Sequence, residues 1–470
     1  MSNTNYDLIV VGGGPGGYVA AIRAAQLGFS VALVEKRETL GGVCLNEGCI
    51  PSKALLESSE LYSRTRHELA EHGVDIGEVK LNLEQMMARK EDIIKKLTGG
   101  IAGLMKKNKI KVFKGVGELL PKEKELCRLN IISGDEKQEI AAKNILLATG
   151  SEAIELKHLP FDGEKIINAR DALSLTEVPQ RLVVVGGGVI GLEMGSVWCR
   201  LGSQVTVVEM LPQILPQTDP QVAQTLQRSL KKQGLDIRLE TRLEKISSGD
   251  KEITATITSA DKQEEIVCDK ILVAAGRRAR TDELNLDAVG LKPNKAGQLD
   301  IDENFQTTTA GIYAIGDLVA GPMLAHKASD EGVVFAERLA GQAATIDYPG
   351  IPGVTYTWPE VASVGHTEEH LKENNTPYKA GKFFFSASGR ALCNGMSDGF
   401  IKVLADPDSG RIHGVHMVGP HASELIAAAA TVYSFGGSVH DLAVTSHAHP
   451  TLAEVFKEAA LAVNKEAIHA

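Results

Sequence analysis

The sequence predicts an α/β fold of two similar halves, followed by a smaller mixed α+β domain. An apolar strand that runs into a glycine-rich turn and a helix of small residues occurs twice, at "YDLIVVGGG" and at "RLVVVGGG". Each copy closes on a further apolar strand, "ILLATG" in the first and "ILVAAG" in the second. Strands that alternate with helices in this way predict parallel sheets. From about Val354 short strands such as "GFIKVLA" and "RIHGVHMVG" replace the pattern, which predicts a separate C-terminal domain.

Composition indicates an ordinary globular protein. The 470 residues are 43% hydrophobic and 23% charged, with a formal net charge of −10. At about 100–200 residues per domain, this length allows about three domains. No apolar run approaches the ~18 residues of a membrane span, and the negative charge disfavours binding to nucleic acid or to acidic partners. The strand "DLIVVGGG" follows Met1 so closely that we expect no targeting peptide and a cytoplasmic location.

The first half carries the pattern of a dinucleotide-binding site. Gly12, Gly14 and Gly17 follow the first strand, and Glu35 follows the second strand, "SVALV". Such glycines allow a tight turn and a close approach of the backbone to a pyrophosphate, while the acid accepts hydrogen bonds from ribose hydroxyls. One match of this kind is weak evidence, because glycines also serve ordinary turns.

The same pattern recurs in the second half, with the same spacing from the first glycine to the acid. Gly186, Gly188 and Gly191 precede the strand "QVTVV", and Glu209 follows it. Two sites in one chain imply two nucleotides, which are usually a bound flavin and a diffusible nicotinamide. The segment "MLPQILPQTD" after Glu209 contains no Lys or Arg to neutralise a 2′-phosphate, so the sequence favours NAD over NADP.

Two of the six cysteines lie close together in "GGVCLNEGCIPSK", at Cys44 and Cys49. Pro51 is tolerated in the first turn of a helix and "SKALLESSELY" continues with helical spacing, so we expect Cys49 near a helix N-terminus. That position favours the thiolate, which is the form that exchanges disulfides. No second Cys or His pair completes a zinc site, so we expect redox chemistry and no metal. The other four cysteines are isolated: Cys127, Cys199, Cys268 and Cys393.

Dithiol chemistry needs a base, because a substrate thiol is mostly protonated at neutral pH. His449 precedes Pro450, and Glu454 falls in the first turn of the helix that follows, where its carboxylate would orient the imidazole. The segment "TLAE" from Thr451 equally fits a capping box, in which Glu454 only starts the helix. The residues alone leave both interpretations open, and His447 is the second choice of base.

Several segments together resemble one family over essentially the whole chain. The cysteine segment, the second glycine turn "GGGVIGLEMG", and "YAIGD", "PMLAHKA" and "HAHPTLAE" are similar to those of the dihydrolipoamide dehydrogenase family. This family is a branch of the flavoprotein disulfide reductases, the class I pyridine nucleotide-disulfide oxidoreductases. The resemblance implies two Rossmann-like domains that bind FAD and NAD, and a C-terminal α+β dimerisation domain. It also implies an enzyme that reoxidises dihydrolipoamide, passes a hydride to NAD⁺ and takes part in cell redox homeostasis.

The resemblance assigns roles to individual residues. Cys44 and Cys49 would form the redox disulfide, with Cys49 nearest the flavin and Cys44 as the interchange thiol. Lys53 and Glu193 would pair beside the flavin. The residues assigned to FAD are Gly12, Gly14, Gly17, Glu35, Asp317 and Ala325. Those assigned to NAD are Gly186, Gly188, Gly191 and Glu209, and the cofactor sites also include Gly117 and Gly276.

The resemblance makes His449 and Glu454 a catalytic pair that the other subunit of an obligate homodimer supplies. The partners that it implies are the lipoyl domains of an acyltransferase or of a glycine cleavage H-type protein, without nucleic acid or membrane. The implied domains are an FAD-binding domain with the redox helix (1–150), an NAD-binding domain (151–276), a central domain that completes the FAD site (277–350) and a C-terminal interface domain (351–470).

Two rival functions fit parts of the pattern. Another FAD-dependent reductase of the same fold, of the glutathione type, is disfavoured because the segment after Glu209 lacks basic residues. The mercuric type is disfavoured because Cys393 is the last cysteine, so a C-terminal cysteine pair is missing. A docking subunit that retains the nucleotide folds without catalysis is disfavoured because every catalytic residue is present.

One residue between the cysteines departs from the family pattern. Glu47 stands where an apolar residue is common. We expect its carboxylate to disfavour the neighbouring thiolates and to shift the redox potential.

Overall fold

The computed structural model describes residues 5–249, 252–260 and 262–469. Within these ranges the chain divides into two compact units. The first unit comprises the described residues up to Leu55, together with Glu84–Ile154 and Gly276–Ile346. The second comprises Leu56–Leu83, Glu155–Ala275 and the residues from Asp347 onward. The four domain ranges assigned from the sequence remain a prediction.

The described residues form helices and strands in the order that the sequence predicts for an α/β fold with an α+β end. The helices are α1 (Pro15–Gln26), α2 (Gly42–Glu47), α3 (Cys49–His67), α4 (Leu83–Lys107), α5 (Ala169–Ala172), α6 (Val189–Leu201), α7 (Pro220–Lys232), α8 (Ala325–Leu339), α9 (Glu368–Glu373), α10 (Gly389–Cys393), α11 (Ala422–Ser434), α12 (Val439–Val444) and α13 (Glu454–Val463). The strands are β1 (Asn5–Val11), β2 (Val31–Glu35), β3 (Lys111–Lys114), β4 (Val116–Glu123), β5 (Leu126–Ser133), β6 (Glu136–Leu147), β7 (Ser151–Ala153), β8 (Ile166–Ile167), β9 (Arg181–Val185), β10 (Gln204–Val208), β11 (Asp236–Arg238), β12 (Thr241–Ser248), β13 (Ile253–Ser259), β14 (Lys262–Cys268), β15 (Lys270–Val273), β16 (Arg277–Ala279), β17 (Ile312–Ala314), β18 (Gly353–Thr355), β19 (Glu360–Gly365), β20 (Lys379–Phe384), β21 (Phe400–Ala405) and β22 (Ile412–Gly419). Short 3₁₀ segments lie at Leu69–His72, Leu286–Val289, Gly316–Leu318 and Phe385–Ala387.

The first unit is built on a seven-stranded sheet in the order β3-β2-β1-β6-β5-β4, with β17 beside β6. The pairs that β1 makes with β2 and β6 are parallel, and so is the pair of β17 with β6. Strands β4, β5 and β6 form an antiparallel meander. The parallel part is the predicted dinucleotide-binding half.

Strand β1 is apolar from Leu8 to Val11 because both of its faces are covered there. Leu8 and Val10 belong to one core cluster, and Ile9 and Val11 belong to another. Successive side chains of a strand point to opposite faces, so a strand buried on both sides reads as a continuous apolar run rather than as an alternation. This is why "YDLIVV" predicts a central parallel strand.

The small residues of α1 allow helix α8 to approach it closely within the first unit. A β-carbon built on Gly332 of α8 would lie 2.7 Å from the carbonyl oxygen of Gly16 in α1. Ala20 and Ala24 on the same helix are fully buried. The alanine-rich and glycine-rich composition of α1 therefore follows from its packing.

The second unit contains the repeated half, a sheet in the order β11-β10-β9-β15-β8 in which every pair is parallel. An antiparallel ribbon of β12, β13 and β14 accompanies it. The predicted C-terminal domain is an antiparallel sheet in the order β18-β19-β22-β21-β20. Its core includes Ile426 from α11 and Phe456 from α13. The mixed α+β prediction for this region is confirmed.

A buried ion group lies in the second unit. Lys402 of β21 is 3% exposed, and its Nζ lies 2.7 Å from Oδ2 of the fully buried Asp219. The same ammonium group also contacts the carboxylate of Glu368. Asp219 caps α7, since its Oδ1 accepts the backbone N–H of Gln221 at 3.0 Å. Lys372 binds Glu368 at 3.0 Å from the more exposed side.

Candidate active site

The first glycine turn has no room for side chains. The φ angle of Gly12 is +105°, and a β-carbon there would lie 2.3 Å from the carbonyl oxygen of Ala148. A β-carbon on Gly17 would lie 1.9 Å from the carbonyl oxygen of Gly12. Both contacts are far below van der Waals distance, so each position requires glycine.

The second glycine turn repeats this geometry. The φ angle of Gly186 is +113°, and a β-carbon there would lie 2.4 Å from the carbonyl oxygen of Ala274. A β-carbon on Gly191 would lie 2.0 Å from the carbonyl oxygen of Gly186. The repeat seen in the sequence thus extends to the same two close approaches in each half.

The space in front of each turn is open, which suits a pyrophosphate. Gly14 and Gly188 are the N-caps of α1 and α6, with extended backbones and no side-chain cap. A β-carbon on Gly188 would meet nothing within 4 Å, and one on Gly14 would meet only the Cα of Gly42 at 3.8 Å. A helix N-terminus with free N–H groups and open space is a ready anion site, so the residues fit the phosphates of FAD and NAD.

Glu35 has a role that the sequence pattern does not reveal. Its Oε2 accepts the backbone N–H of Gly13 at 2.8 Å, and its Oε1 accepts the backbone N–H of Arg37 at 2.9 Å. The carboxylate therefore holds the glycine turn against the end of β2. Each carboxylate oxygen has a second lone pair, so Glu35 retains the capacity to accept from a ribose hydroxyl.

Glu209 makes the matching pair of bonds in the second unit. Its Oε2 accepts the N–H of Gly187 at 2.6 Å, and its Oε1 accepts the N–H of Leu211 at 2.9 Å. Arg238 is a basic residue that lies outside the segment after Glu209 in the sequence but near Glu209 in the fold. Its backbone pairs in register with Val208. The guanidinium group of Arg238 is bound to Asp236 at 2.8 Å and so is already neutralised.

The two cysteines of the predicted pair lie close together. Cys44 lies on α2, a helix of six residues, whereas the sequence placed it only in a glycine-flanked stretch before the helix. Cys49 is the first residue of α3, as predicted. A hydrogen bond with Cys49, burial and the charge of Cys49 raise the pKa of the Cys44 thiol, and the charge of Lys53 opposes this shift. Both cysteines are half-buried.

The cysteine helix packs directly on the first glycine turn. A β-carbon on Gly42, the first residue of α2, would lie 2.6 Å from the Cα of Gly14. The backbone N–H of Gly41 donates to the carbonyl oxygen of Gly13 at 2.8 Å. The thiols therefore belong to the same small region as the first dinucleotide turn, within the first unit.

A partly buried polar group beside this region was not predicted from the sequence. Nε of Arg277 donates to Oγ of Ser151 at 2.8 Å, and its Nη2 donates to the carbonyl oxygen of Ser151 at 2.8 Å. The Ser151 hydroxyl in turn donates to Asp317. Burial lowers the pKa of Arg277 while the charges of Asp317 and Cys49 oppose that shift. Arg277 is thus a cation within electrostatic reach of Cys49.

Gly316, which precedes the Asp317 assigned to FAD from the sequence, is held by an ion pair that the sequence did not predict. Lys327 and Glu331 on α8 are both fully buried and bind each other at 2.9 Å. Lys327 also donates to the carbonyl oxygen of Gly316 at 2.9 Å, and Glu331 accepts the N–H of Gly316 at 2.7 Å. Ala325 is the first residue of that helix. The motif "PMLAHKA" was the only sequence signal that included Lys327, because the neighbouring residues do not indicate that this lysine is buried.

Glu47, the departure noted between the cysteines, is paired. Nη1 of Arg37 lies 2.6 Å from its Oε1, and Nη2 lies 3.0 Å from its Oε2. The hydrogen bond and charge of Glu47, against burial, raise the pKa of Arg37. The charge of Glu47 is therefore balanced by Arg37, and its effect on the neighbouring thiolates and on the redox potential stays a prediction.

The remaining cofactor residues are placed as follows. Gly117 is buried in β4, where a β-carbon would lie 3.0 Å from Cγ1 of Val11. Gly276 precedes β16 and has a φ angle of +123°. Glu193 of α6 is 3% exposed, and its Oε1 accepts the N–H of Tyr356 at 3.0 Å. The cofactor roles of these residues and the pair of Glu193 with Lys53 remain predictions.

Glu454 makes both of the hydrogen bonds that the sequence left as alternatives. Its Oε1 lies 2.9 Å from Nδ1 of His449, and its Oε2 accepts the N–H of Thr451 at 2.8 Å. The complete capping box does not form, because the hydroxyl of Thr451 donates to the carbonyl oxygen of Ala448. The His449 side chain is 80% exposed, so it is open to a substrate or to a second chain. Nδ1 of His447, the second choice of base, instead contacts the carbonyl oxygen of Thr445.

Comparison with known proteins identifies the relatives of this chain. The model of the pyridine nucleotide-disulphide oxidoreductase family matches residues 6–332, and that of its dimerisation domain matches residues 351–460. The chain is 46% identical to the mitochondrial dihydrolipoyl dehydrogenase of Pisum sativum, over 98% of this chain and 92% of the relative. It is also 46% identical to the dihydrolipoyl dehydrogenase of Cupriavidus necator, over 99% of each.

The solved structures include LpdA from Mycobacterium tuberculosis. It superposes with a TM-score of 0.89 at 27% identity, covering 97% of this chain and 99% of that one. Among the residues that the structure describes, no helix is both long enough and apolar enough to cross a membrane.

Proposed function

Because the chain belongs to the pyridine nucleotide-disulphide oxidoreductase family, we propose that it oxidises dihydrolipoamide to lipoamide through a disulfide between Cys44 and Cys49. One observation carries the proposal: the two thiols lie close together on α2 and at the start of α3, and α2 packs on the first glycine turn. Relatives that are 46% identical over nearly the whole chain are dihydrolipoyl dehydrogenases, which supports this substrate.

The proposed exchange begins from the oxidised enzyme. His449 takes a proton from one thiol of dihydrolipoamide, and the resulting thiolate attacks the sulfur of Cys44. The bond between Cys44 and Cys49 breaks, and Cys49 leaves as a thiolate. The second substrate thiol loses its proton to solvent and attacks the substrate sulfur of the mixed disulfide, and Cys44 leaves and takes up the proton that His449 holds. This step forms the disulfide of lipoamide and leaves both cysteines reduced, so each two-electron oxidation of substrate is balanced by reduction of one enzyme disulfide.

The cofactors are FAD and NAD. When bound, FAD would supply the acceptor for the electron pair of the reduced cysteines, and NAD⁺ the final acceptor of a hydride. The glycine turn and Glu35 would hold the first nucleotide, and the matching turn with Glu209 would hold the second. Lys53 and Arg277 place positive charge near the cysteines and so stabilise the Cys49 thiolate that must persist until the electrons leave.

The assembly that we propose is a homodimer, with His449 of the partner subunit serving each cysteine pair. The match to a dimerisation domain at residues 351–460 supports it, and so does the exposure of the His449 side chain. We further propose that the dimer works in the cytoplasm on lipoyl domains, either of an acyltransferase of a 2-oxoacid dehydrogenase complex or of a glycine cleavage H-type protein.

The experiment that tests the proposal uses the purified full-length protein. We expect the protein to be yellow and light scattering to show a dimer. We also expect it to form NADH from NAD⁺ only when dihydrolipoamide is present. Titration with NADH should produce the long-wavelength absorbance of a thiolate beside an oxidised flavin. A protein that holds FAD but neither oxidises dihydrolipoamide nor shows this band would overturn the proposal.

A further inference from the structure

The end of α2, between the two redox cysteines, carries a negative charge that would disfavour the reactive thiolate. Glu47 is the last residue of α2, and Cys49 begins α3 two residues later. A carboxylate at this position disfavours a thiolate nearby, and it also sits at the unfavourable end of the α2 dipole. A chain with Glu47 therefore needs a compensating positive charge.

Arg37 supplies that charge with bidentate geometry. The Nη1 to Oε1 and Nη2 to Oε2 distances to Glu47 are 2.6 and 3.0 Å, and the two side chains are 21% and 22% exposed. Parallel hydrogen bonds of this kind are the strong class of charged contact, and partial burial protects them from screening by salt. The pairing neutralises Glu47 in the place where a free carboxylate would act on the thiols.

The position of Arg37 is itself fixed by the first nucleotide site. Its backbone N–H donates to Oε1 of Glu35 at 2.9 Å, and the other oxygen of Glu35 holds the glycine turn through Gly13. The guanidinium group thus projects from the end of β2, which is itself fixed to that turn. Its position does not depend on α2, the helix that carries the carboxylate it neutralises.

We propose that Arg37 is a positioning residue for the dithiol reaction, which keeps the Cys49 thiolate stable by neutralising Glu47. The inference rests on the proposed function, since it concerns the same cysteine pair. Other groups on the elements packed around Cys49 are Cys44 on α2, Lys53 on α3 and Arg277 on β16. All of them remain in place when Arg37 or Glu47 is replaced.

The test compares Arg37→Met, Glu47→Val and the double variant with the unmodified holoenzyme. The midpoint of the long-wavelength absorbance of the two-electron-reduced enzyme against pH reports thiolate formation. In Arg37→Met we expect this midpoint to rise by about half to one pH unit, a three- to tenfold loss in acid dissociation. In Glu47→Val it should stay or fall, and in the double variant it should return to the value of the unmodified enzyme.

A second readout does not require turnover. The pH dependence of iodoacetamide alkylation of the reduced protein should move in parallel with the absorbance. Arg128→Met is the matched control, because Arg128 in the same unit also binds a carboxylate through two hydrogen bonds, from its Nε and Nη2 to Glu139 at 2.6 and 2.8 Å. We expect it to leave both midpoints unchanged.

The outcomes separate charge from mere packing. If Arg37 acts only through packing, the midpoint of the double variant should stay shifted, because this variant still lacks the ion pair. If Arg37 acts through its charge, the shift should disappear once Glu47 is also replaced. An unchanged midpoint in Arg37→Met, a raised midpoint in Glu47→Val, or a double variant equal to Arg37→Met would each overturn the inference. If the unmodified enzyme shows no long-wavelength band, the proposed function fails instead.

Discussion

Glu454 binds two groups at once, with one carboxylate oxygen 2.9 Å from Nδ1 of His449 and the other 2.8 Å from the backbone nitrogen of Thr451. The second bond fixes the carboxylate at the start of α13, and the first therefore fixes the imidazole ring. An exposed histidine gains a defined orientation in this way, with its Nε2 left for a substrate. Helix initiation and orientation of the base are thus performed by one side chain.

Replacing Glu454 by Gln should slow catalysis without disturbing the helix start, because the amide oxygen still accepts from Thr451. We expect kcat for dihydrolipoamide to fall by about 10- to 100-fold, while FAD content stays normal. Glu458→Gln is the control, because Glu458, one helical turn after Glu454, likewise contacts a histidine, with its Oε1 2.8 Å from Nδ1 of His469. Equal effects of the two substitutions on kcat would contradict the assignment.

The pH dependence of the same pair has a definite sign. Although burial opposes it, the hydrogen bonds from Thr451 and His449 hold the pKa of Glu454 below its ordinary value. The carboxylate is therefore ionised throughout the neutral range, and the stability that it contributes is lost only as the pH falls through this lowered pKa. Denaturant unfolding of the unmodified protein and Glu454→Gln should differ at pH 7 and converge in acid. A difference that grows in acid would contradict this sign.

Cys44→Ser should abolish lipoamide turnover, because no sulfur remains to form the mixed disulfide. We expect kcat to fall by more than about a thousandfold, while NADH still bleaches the flavin absorbance of the purified protein. Cys393→Ser, at an exposed cysteine, should behave like the unmodified enzyme. Lipoamide turnover that survives in Cys44→Ser would rule out the exchange scheme.

The nucleotide preference should follow the charge of Glu209. A 2′-phosphate would be repelled by this carboxylate, so we expect kcat/KM to favour NAD⁺ over NADP⁺ by at least about a hundredfold. Glu209→Gln should narrow the ratio, while Glu35→Gln should leave it unchanged. Steady-state kinetics with both nucleotides provide the measurement, and a preference for NADP⁺ in the unmodified enzyme would refute the assignment.

The buried ion group of the second unit should dominate stability there. Lys402→Met leaves Asp219 and Glu368 without their cation, and we expect a loss of about 3–5 kcal/mol in the free energy of unfolding. Lys372→Met removes only the more exposed partner of Glu368 and should cost far less stability than Lys402→Met. Urea unfolding of the two variants distinguishes a structural ion group from ordinary surface charge.

The same group predicts a stability change in acid. Burial would raise the pKa of Glu368, but hydrogen bonds from Lys402, Tyr378 and Lys372 lower it to about 2. The stability that ionised Glu368 contributes is therefore complete above its ordinary pKa of 4.5 and is lost as the pH falls towards 2. Unfolding curves of Glu368→Gln and the unmodified protein should separate above this range and meet below it.

The features that the sequence predicted well are those encoded locally. The spacing from Gly12 to Glu35, repeated from Gly186 to Glu209, predicts a strand, a turn and a helix. The structure shows these three elements in both copies. Cys49 at the start of α3 follows from Pro51 and the helical spacing behind it. Each of these predictions needs only neighbouring residues.

The features that the sequence did not predict depend on contacts between distant segments. Arg277 lies 126 residues from its acceptor Ser151, and Lys402 lies 183 residues from Asp219, so no local pattern could pair them. The pairing of Glu47 was not foreseen for the same reason in a subtler form. Its partner Arg37 was visible in the sequence, but the fold of α2 against the end of β2 was not.

The hydrogen bond from Gly187 to Glu209 has a consequence for protein engineering. A designer who wants the enzyme to accept NADP⁺ would naturally substitute Arg at position 209 to attract the extra phosphate. That change would also strip the glycine turn of its hydrogen-bond acceptor, and the altered protein would lose affinity for either coenzyme. A successful redesign must therefore introduce the new cation at a neighbouring position and keep an acceptor where the acid now stands.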